Sequence, residues 1–433
     1  MIPNRIDRRG AGRLPCHADF RSDRLISVEY GNGAHAAKGY KSGTHRVISP
    51  RETLERMKPY LAPMGITRVA NVTGLDTIGI PVFMACRPNS RSLAVSQGKG
   101  LDLDAARASA VMESIEGYHA ENVELPLRLA SYRDLCTRHT VVDTGLLPHC
   151  WWHRSYHPDL PLLWVEGEDW LQHERVWVPF QLVHTQYTAA LRFDFNSFAV
   201  TSTGLASGNH LLEAASHAIC EVVERDAAHR CALLPEEERE TRRVALDTVD
   251  HPDCRDALER FERAGVAVAV WEITGRVELP AFECLIANRD NDPLWPQIPA
   301  TGFGCHPVRH IALLRALTEA AQSRLTSISG ARDDMPRADY AAIRDGGNLG
   351  IMRSRACAKG VRSFQSAPSY EHETFEEDVD LELALLRAAD FERVILLDLA
   401  LPGFDVSVVR AIVPGMENRH VSGAEGRIPE ALP

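Results

Sequence analysis

The sequence predicts an α+β (mixed α/β) fold in which β-sheets are flanked by long helices. Short apolar segments at residues 80–85, 266–270 and 394–397 have the composition of buried strands. Long helical patterns separate these segments, and this alternation is typical of layered α and β elements. At 433 residues the chain is long enough to bury a large core.

The first helix is marked by its start signals. Ser49 and Pro50 place a cap and a first-turn proline before the segment Glu52-Thr53-Leu54. Residues 68–84 then indicate a strand, a turn and a second strand, because turn-forming residues interrupt two apolar segments. Residues 288–307 and 330–380 are rich in Asp, Gly, Pro and Arg, which predicts long surface loops or lids.

The ends of the chain differ from its centre in composition. Residues 1–36 are rich in Arg, Gly and Asp without periodicity, and we expect a flexible N-terminal segment. Residues 37–415 form the predicted globular domain, and residues 416–433 form a C-terminal tail.

Composition and charge narrow the class of function. A formal net charge of −11 disfavours nucleic acid as the main partner, because a phosphate-reading surface needs basic residues in excess. No apolar run approaches the roughly 20 residues of a membrane span, and the N-terminus lacks the apolar centre of a signal peptide, so we expect a cytoplasmic protein. The ten cysteines occur singly, with no C-x-x-C pair, which predicts packing residues rather than zinc ligands.

Three helical segments carry a polar stripe on one face and an apolar stripe on another. They run from Asp104, the predicted N-cap, to about His119, from about Asn209 to Ala228, and from about Val308 to Ser327. The apolar stripes, which we expect to be buried, are Ala105, Ala108, Met112 and Ile115; Leu212, Ala215, Ile219 and Val222; and Leu314, Leu317 and Ala321. The polar stripes are Ser109, Glu113 and Glu116; Glu213, His217, Glu221 and Glu224; and Arg315, Glu319 and Gln322.

The acidic stripes of the first two helices admit two interpretations. A solvated acidic face is the simpler one for any single helix. However, both helices are rich in small and β-branched apolar residues, as expected of helices buried on most sides. Two partly buried carboxylates about 4 Å apart repel by about 4 kcal/mol at an effective dielectric constant of about 20, so they must be protonated or bridged by cations. Oxygen ligands select hard cations such as Mg²⁺, which also binds phosphate oxygens.

Three segments of the chain resemble, in order, sequence blocks of the YcaO family. Residues 65–81 are similar to the family's entry strands and are followed by Ser96-Gln-Gly-Lys-Gly100 and the stripe with Glu113 and Glu116. The second block is matched by Ser207, Asn209, Glu213 and residues 221–226, and the third by residues 317–324 and 330–334. The resemblance covers about residues 40–415, and on these blocks the chain is identified as a member of the family.

The resemblance implies ATP and Mg²⁺ as cofactors, bound between helices without a P-loop. The chain indeed has no G-x-x-x-x-G-K-[ST] sequence. The residues implied to hold the metal are Glu113, Glu116, Glu221 and Glu224. The residues implied to bind the nucleotide or its phosphates are Ser109, Ser207, Asn209, Glu213, Arg225, Glu319, Gln322, Arg324 and Lys99. A further phosphate contact is implied within residues 41–46.

Two of these assignments depend on the motif alone. Arg324 lies about 140° from Glu319 on a regular helix, so its position on the helix does not select it. Lys99 lies in Gly98-Lys99-Gly100, a sequence that favours a turn over a phosphate-binding loop, although its charge suits ATP.

The chemistry implied by the resemblance is the activation of peptide backbone amides. A nucleophile attacks the amide carbonyl, the resulting oxyanion takes the γ-phosphoryl group of ATP, and phosphate then leaves. Phosphoryl transfer depends mainly on positioning and charge neutralisation, so no catalytic nucleophile needs to be evident, and we identify none. A neighbouring Cys, Ser or Thr of the substrate gives an azoline ring, whereas external sulfide gives a thioamide.

Two features favour thioamide formation on a ribosomally made peptide. The entry block resembles the subgroup that is encoded with TfuA-type partner proteins, and this subgroup is associated with peptide thioamidation. Azoline-forming members often end in a Pro-x-Pro-x-Pro tail, whereas residues 427–433 contain two prolines. The expected partners are therefore a peptide substrate and a TfuA-like protein. A homodimer stays open, and so do the modified peptide and the sulfur donor.

Two other classes of protein compete with this interpretation. Glu116-Gly-Tyr-His119 is a Glu-x-x-His sequence, as found in di-iron carboxylate proteins, but that fold needs a second such motif in a four-helix bundle. A scaffold that presents peptide to a separate catalyst is the second alternative, and the complete set of acids disfavours it.

Overall fold

The mixed α/β class predicted from the sequence is confirmed. The computed structural model describes residues 36–149, 156–188, 197–291, 297–335, 337–338, 340 and 346–417. These residues belong to one compact unit of residues 34–433. The predicted flexible N-terminal segment, apart from Ala36, and the predicted tail from residue 418 lie outside the described residues.

Three antiparallel sheets organise this unit. The first has the strand order β1-β2-β3, the second β10-β9-β8, and the third β4-β5-β11-β12-β7 with β6 also paired to β5. The strands are β1 (Arg68–Asn71), β2 (Val82–Cys86), β3 (Val95–Lys99), β4 (Leu127–Ala130), β5 (Leu162–Asp169), β6 (Glu174–Pro179), β7 (Leu205–Gly208), β8 (Val266–Glu272), β9 (Ala281–Asn288), β10 (Ala300–Cys305), β11 (Ile395–Asp398) and β12 (Ser407–Ile412). The strands expected near residues 80–85, 266–270 and 394–397 are β2, β8 and β11.

The helices lie against these sheets. They are α1 (Pro50–Met57), α2 (Leu103–Glu121), α3 (Tyr132–Leu135), α4 (Leu211–Ala232), α5 (Glu236–Glu240), α6 (Pro252–Arg263), α7 (Arg309–Ser329), α8 (Gly346–Cys357) and α9 (Phe375–Ala388). The predicted cap of α1 is confirmed: the Ser49 hydroxyl accepts the Glu52 N–H, and the Glu52 carboxylate accepts the Ser49 N–H. No described helix is long and apolar enough to cross a membrane.

Two of the sheets are each followed by a helix that packs closely on the sheet's last strand. On β3, a side chain at Gly98 would place its Cβ 1.9 Å from the Ala110 backbone nitrogen of α2. On β10, a Cβ at Gly302 would lie 2.2 Å from the Ala320 backbone nitrogen of α7. Glycine is therefore required at both positions, because a close helix-to-strand approach leaves no room for a Cβ.

The third long helix, α4, packs on β7 and β12 of the six-stranded sheet and against α9. Its predicted apolar stripe, which includes Leu212 and Ile219, is confirmed as buried. The same holds for Leu314, Leu317 and Ala321 of α7. The three helices α2, α4 and α7 thereby bring their polar stripes to a common space between the sheets.

Several sequence expectations were wrong in detail. The N-cap of α2 is Asp102, whose side chain accepts the Ala105 N–H, and not Asp104. Residues 288–307 contain β10, and residues 330–380 contain α8 and the start of α9. Gly98 and Lys99 lie in β3 and not in a turn.

The predicted buried stripe of α2 is confirmed in part: Ala108 and Ile115 are buried, whereas Ala105 and Met112 are only partly buried. Ala105, Ala108 and Met112 line the space between the helices, together with the acids. The residues of α2 that face the core are Ala106, Ala110, Val111, Ser114 and Ile115. Small apolar residues on both faces of this helix made the two faces indistinguishable by composition.

Candidate functional site

A polar cavity of about 700 Å³ lies between α2, α4 and α7. Its volume is in the range of small-molecule and cofactor sites. Its lining includes all but one of the residues predicted for the site: Lys99, Ser109, Glu113, Glu116, Ser207, Asn209, Glu213, Glu221, Glu224, Arg225, Glu319 and Gln322. Residues far apart in the sequence therefore converge on one space, as predicted.

The acids of α2 face strand β7. Ser207, on β7, donates both its backbone N–H (2.8 Å) and its hydroxyl (2.7 Å) to Glu116 Oε1. Glu113 lies one turn earlier on the same face of α2. Ser207 thus fixes one acid of the pair through a single oxygen, and Glu116 Oε2 has no hydrogen bond among the described residues that would hold it.

The acids of α4 differ in how they are held. Glu213 is buried and accepts the Val47 N–H at 2.8 Å. Glu221 accepts the Gly204 N–H at 3.2 Å and lies 3.5 Å from Arg225. Glu224 lies 3.6 Å from Arg225 through Oε1.

The polar stripe of α7 meets strand β3 across the cavity. Lys99 Nζ lies 2.8 Å from Glu319 Oε2, and Glu319 Oε1 accepts the Phe303 N–H at 3.2 Å. The Gln322 amide donates to the Gln97 carbonyl at 3.2 Å. These contacts join β3 of the first sheet to α7, which packs on the second sheet. Lys99 therefore pairs with Glu319 and also lines the cavity.

Burial dominates the acid–base properties of this site. Burial raises the pKa of Glu113 to about 7, against the attraction of Lys99 and Arg332. It raises the pKa of Glu116 to about 8, although the Ser207 hydroxyl lowers it. For Glu224, burial raises the pKa to about 7 against the attraction of Arg225. Three carboxyl groups in one cavity are therefore costly to ionise without an added cation.

The cations of the cavity are strongly held. Burial opposes the charge of Arg225, but Glu224, Glu221 and Glu319 together raise its pKa. Burial likewise opposes the ionisation of Glu319, yet Lys99 and Arg225 lower its pKa. A positively charged group therefore stays charged beside the carboxylates.

Some polar atoms that line the cavity are buried and have no hydrogen-bond partner. Within the described ranges they include Asn209 Oδ1, Glu224 Oε2, Arg315 Nε and Gln322 Oε1. Buried polar atoms are nearly always hydrogen-bonded, so such atoms indicate that a ligand completes the site. The mixture of carboxylates and cations fits a nucleotide with a divalent cation, because the acids suit the cation and the bases suit phosphate.

The acids do not form a complete metal-binding cluster by themselves. Among the described residues, no three Asp, Glu, His or Cys side chains are close enough together to hold a metal ion. In nucleotide sites Mg²⁺ is commonly bound by one or two carboxylates, phosphate oxygens and water. Glu113, Glu116, Glu221 and Glu224 remain our predicted ligands on this basis.

Arg324 is the predicted site residue that does not line the cavity, and its assignment as a nucleotide contact needs correction. Its side chain, 2% exposed, donates to Asp76 Oδ2 (2.8 Å), Asn288 Oδ1 (2.7 Å) and the Ile298 carbonyl (2.8 Å). Arg324 thus joins α7 to three other segments. Its position on α7, about 140° from Glu319, already pointed away from the polar stripe.

Three lining residues had not been assigned individually from the sequence, although a phosphate contact was expected within residues 41–46. Arg46 is the basic residue of segment 41–46 that lines the cavity, whereas Lys41 pairs with Glu373 outside it. Arg315 was placed on a polar stripe without a function, and Arg332 was part of a matched motif only. Their spacing carries no signal, because each comes from a different segment of the chain.

The Glu-x-x-His sequence does not form a joint site. Glu116 lines the cavity, but the His119 ring is buried and contacts the backbone of Leu399 and Leu401. The di-iron alternative therefore lacks its ligand geometry on α2.

Comparison with known proteins identifies the family. The YcaO family, described as YcaO cyclodehydratase, ATP- and Mg²⁺-binding, matches residues 97–417. The chain belongs to this family, and its cofactors are ATP and Mg²⁺.

Relatives and solved structures agree with this assignment. An uncharacterized protein of Mycobacterium tuberculosis (strain H37Rv) is 40% identical over 309 residues, which span 70% of this chain and 66% of that relative. An uncharacterized protein in the tfuA 3′ region of Rhizobium leguminosarum bv. trifolii is 34% identical over 89% of this chain and 92% of its own length. The structure of YcaO from Methanopyrus kandleri bound with AMPPCP and Mg²⁺ is similar in fold, with a TM-score of 0.69, 23% identity, and coverage of 92% of this chain and 99% of that one.

Proposed function

We propose that this chain uses ATP and Mg²⁺ to activate backbone amides of a ribosomally made peptide, and that external sulfide then replaces the amide oxygen. The observation that carries amide activation is the cavity that collects acids of α2 and α4 with Lys99, Arg225 and Glu319. The observation that favours sulfide as the nucleophile is the relative from the tfuA 3′ region, which is similar over nearly its whole length.

We assign different roles in binding to the acidic residues of the cavity and to its other polar residues. ATP, when bound, supplies the phosphoryl group that makes an amide oxygen a leaving group. Glu113, Glu116, Glu221 and Glu224 would hold Mg²⁺. The raised pKa values of Glu113, Glu116 and Glu224 mean that an added cation would favour their ionised forms. Ser109, Ser207, Asn209, Glu213, Arg225, Glu319, Gln322 and Lys99 would orient the nucleotide and neutralise its phosphates.

The main alternative is an azoline-forming cyclodehydratase, which the description of the family favours. It uses the same activation but a Cys, Ser or Thr of the substrate as nucleophile. A peptide-presenting scaffold without turnover is the second alternative. The proposed substrate is a peptide, and the proposed partner is a TfuA-like protein that supplies or directs the sulfur.

One reaction separates these possibilities. The chain is incubated with its precursor peptide, ATP, Mg²⁺, a sulfide source and the partner, and the peptide is then analysed by mass spectrometry. We expect one amide oxygen to be replaced by sulfur, in a sulfide-dependent reaction that survives substitution of any neighbouring Cys, Ser or Thr. Loss of one water, without added sulfide and only with that neighbour present, would show the azoline-forming alternative. Absence of any ATP turnover with peptide and partner would favour the scaffold.

A further inference from the structure

His217 lies in the middle of the acidic face of α4 and lines the cavity, but the proposed function gives it no role. It lies one turn after Glu213 and one turn before Glu221. Its Nε2 atom lies 3.0 Å from Arg315 Nη2 on α7. This contact connects the helix that carries most of the acids to the helix opposite.

The contact fixes the protonation of the ring. A guanidinium group only donates hydrogen bonds, so His217 Nε2 must be the acceptor. The proton of a neutral imidazole then lies on Nδ1. Burial and neighbouring charges reinforce this neutral state. Burial lowers the pKa of His217 well below its usual value, and the positive charges of Arg315, Arg46 and Lys99 lower it further.

Arg315 differs from the other basic residues that line the cavity. Lys99 is paired with Glu319, Arg225 with Glu221 and Glu224, Arg87 with Glu121, and Arg332 with Asp334; Arg46 lies 3.7 Å from Glu213. Within the described residues, Arg315 makes no such ion pair, its Nε is buried without a hydrogen-bond partner, and its contact is with the neutral His217. Among the described residues that line the cavity, Arg315 thus lacks a directly paired carboxylate, although its charge attracts Glu224 and Glu319 from a greater distance.

We infer that His217 is a positioning residue, a neutral imidazole that holds Arg315 by one N–H and leaves the charge of that arginine for the phosphate groups of the nucleotide. A carboxylate in place of His217 would hold Arg315 equally well but would cancel its charge. A neutral acceptor fixes the guanidinium without cancelling its charge. The part of the cavity near His217, where Arg46, Lys99 and Arg315 lie, therefore remains attractive to an anion. This inference rests on the nucleotide site of the proposed function.

The test measures the affinity for β,γ-methylene ATP with Mg²⁺ by calorimetry, without peptide or sulfide. His217→Leu removes the acceptor, and we expect binding about tenfold weaker, since a hydrogen bond to a charged group is worth at least that factor. His217→Gln retains an acceptor oxygen, and its affinity should stay within about threefold of the wild type. His157→Leu, at an exposed histidine outside the cavity, is the matched control and should bind as the wild type does.

A double-substitution cycle shows whether His217 acts through Arg315. Arg315→Gln should weaken binding, and adding His217→Leu to it should cause no further loss. A further tenfold loss in that background, or unchanged affinity of His217→Leu alone, would overturn the inference.

A spectroscopic measurement makes the inference independent of how well the variants fold. Long-range ¹H–¹⁵N spectra of protein labelled with [¹⁵N]histidine, with the His217 signal assigned by its loss in His217→Gln, should show a neutral ring protonated at Nδ1. A charged ring or an Nε2 proton near neutral pH would contradict the inference. Failure of the wild-type chain to bind the nucleotide would overturn it together with the nucleotide site, whereas a failure to form thioamide would leave these measurements unaffected.

Discussion

Glu113 on α2 and Glu224 on α4 both line the cavity, and burial raises the pKa of each to about 7. Glu224 Oε2 is buried without a hydrogen-bond partner among the described residues. A group that is costly to ionise and incompletely hydrogen-bonded lowers stability unless it binds something. Individual acids of this cavity are therefore better explained by a bound cation than by their neighbours in the protein.

We predict that Glu113→Gln or Glu224→Gln reduces Mg²⁺-dependent ATP turnover by at least about 100-fold, because each variant replaces a proposed metal ligand with a neutral amide of the same shape. The fold should remain, since burial already favours the uncharged form of both groups. Turnover is measured by phosphate release and folding by thermal unfolding. Glu237→Gln, at an exposed residue of α5, is the control. Wild-type turnover in both cavity variants would remove these residues from the metal site.

For Arg324, the sequence motif implied a contact with the nucleotide, whereas the structure shows a buried ion pair with Asp76. Its ion pair with Asp76 is almost completely buried, at 2% and 6% side-chain exposure. Removing one partner of a buried ion pair leaves an uncompensated charge or donor, whereas exposed pairs contribute little.

We predict that Arg324→Gln lowers the free energy of unfolding by about 3–5 kcal/mol, measured by chemical denaturation. Arg51→Gln, which breaks the exposed pair with Asp104, should cost less than about 1 kcal/mol. Where Arg324→Gln is still folded, its nucleotide affinity should equal that of the wild type. A stable variant that no longer binds nucleotide would restore the sequence-based assignment.

At the level of elements, helix periodicity was informative where only one face of a helix is apolar. The polar stripes of α4 and α7 line the cavity as predicted, and their bulky residues Leu212, Ile219 and Leu317 are buried in the core. The predicted buried stripe of α2 was confirmed only in part: Ala108 and Ile115 are buried, but Ala105, Ala108 and Met112 line the cavity beside the carboxylates. Periodicity distinguishes faces by bulk and polarity, and α2 offers little contrast in bulk.

Helix periodicity could not predict which residues of different elements contact each other. The partners of Arg324 come from segments up to 248 residues away. The pair of His217 and Arg315 spans 98 residues. Neither has a spacing that identifies it, so the motif blocks could bring the right helices together but could not say which arginine faces the cavity.

Gly98 and Gly302 set how closely α2 and α7 approach their sheets. A Cβ at Gly98 would also lie 2.4 Å from the Ala106 carbonyl oxygen, so the obstacle is backbone that no rotamer change can relieve. The distance between strand and helix then determines where Lys99, the next residue, reaches Glu319.

We predict that Gly98→Ala destabilises the protein by about 1–3 kcal/mol or more, because the helix must move away from the strand. It should also weaken nucleotide binding, since α2 carries Glu113 and Glu116. Gly74→Ala is the matched control: nothing lies within 4 Å of its added Cβ, and its free energy of unfolding should change by less than about 0.5 kcal/mol. Equal stability of both variants would contradict the close packing of α2 on β3.

On the scale of the whole molecule, the cavity joins parts that fold around separate cores. One buried cluster includes Trp164 and Phe198, and another includes Phe261 and Phe282. The acids of α2 and α4 and the polar stripe of α7 meet between these parts. Their mutual repulsion therefore opposes the assembly of the unit, and a bound cation would favour it.

We predict that the cation-free protein becomes less stable as the pH rises through about 7–8. The pKa values of Glu113, Glu116 and Glu224 are raised to about 7, 8 and 7, so between about pH 4.5 and 8 the folded chain binds more protons than the unfolded chain. The stability that these groups contribute is fully present below their unfolded pKa, near 4.5, and is lost as the pH passes their folded values. Thermal unfolding in a chelator should show a lower midpoint at about pH 8.5 than at about pH 6.

Mg²⁺ with a non-hydrolysable ATP analogue should reduce this loss, because the ligand binds the ionised form and releases protons. Glu116→Gln should flatten the pH dependence in chelator, since it removes the group with the highest folded pKa of the three. A midpoint in chelator that rises from about pH 6 to 8.5 would mean that these acids are already compensated within the protein. The cavity would then need no divalent cation to be stable, and the assignment of its acids to Mg²⁺ would have to be abandoned.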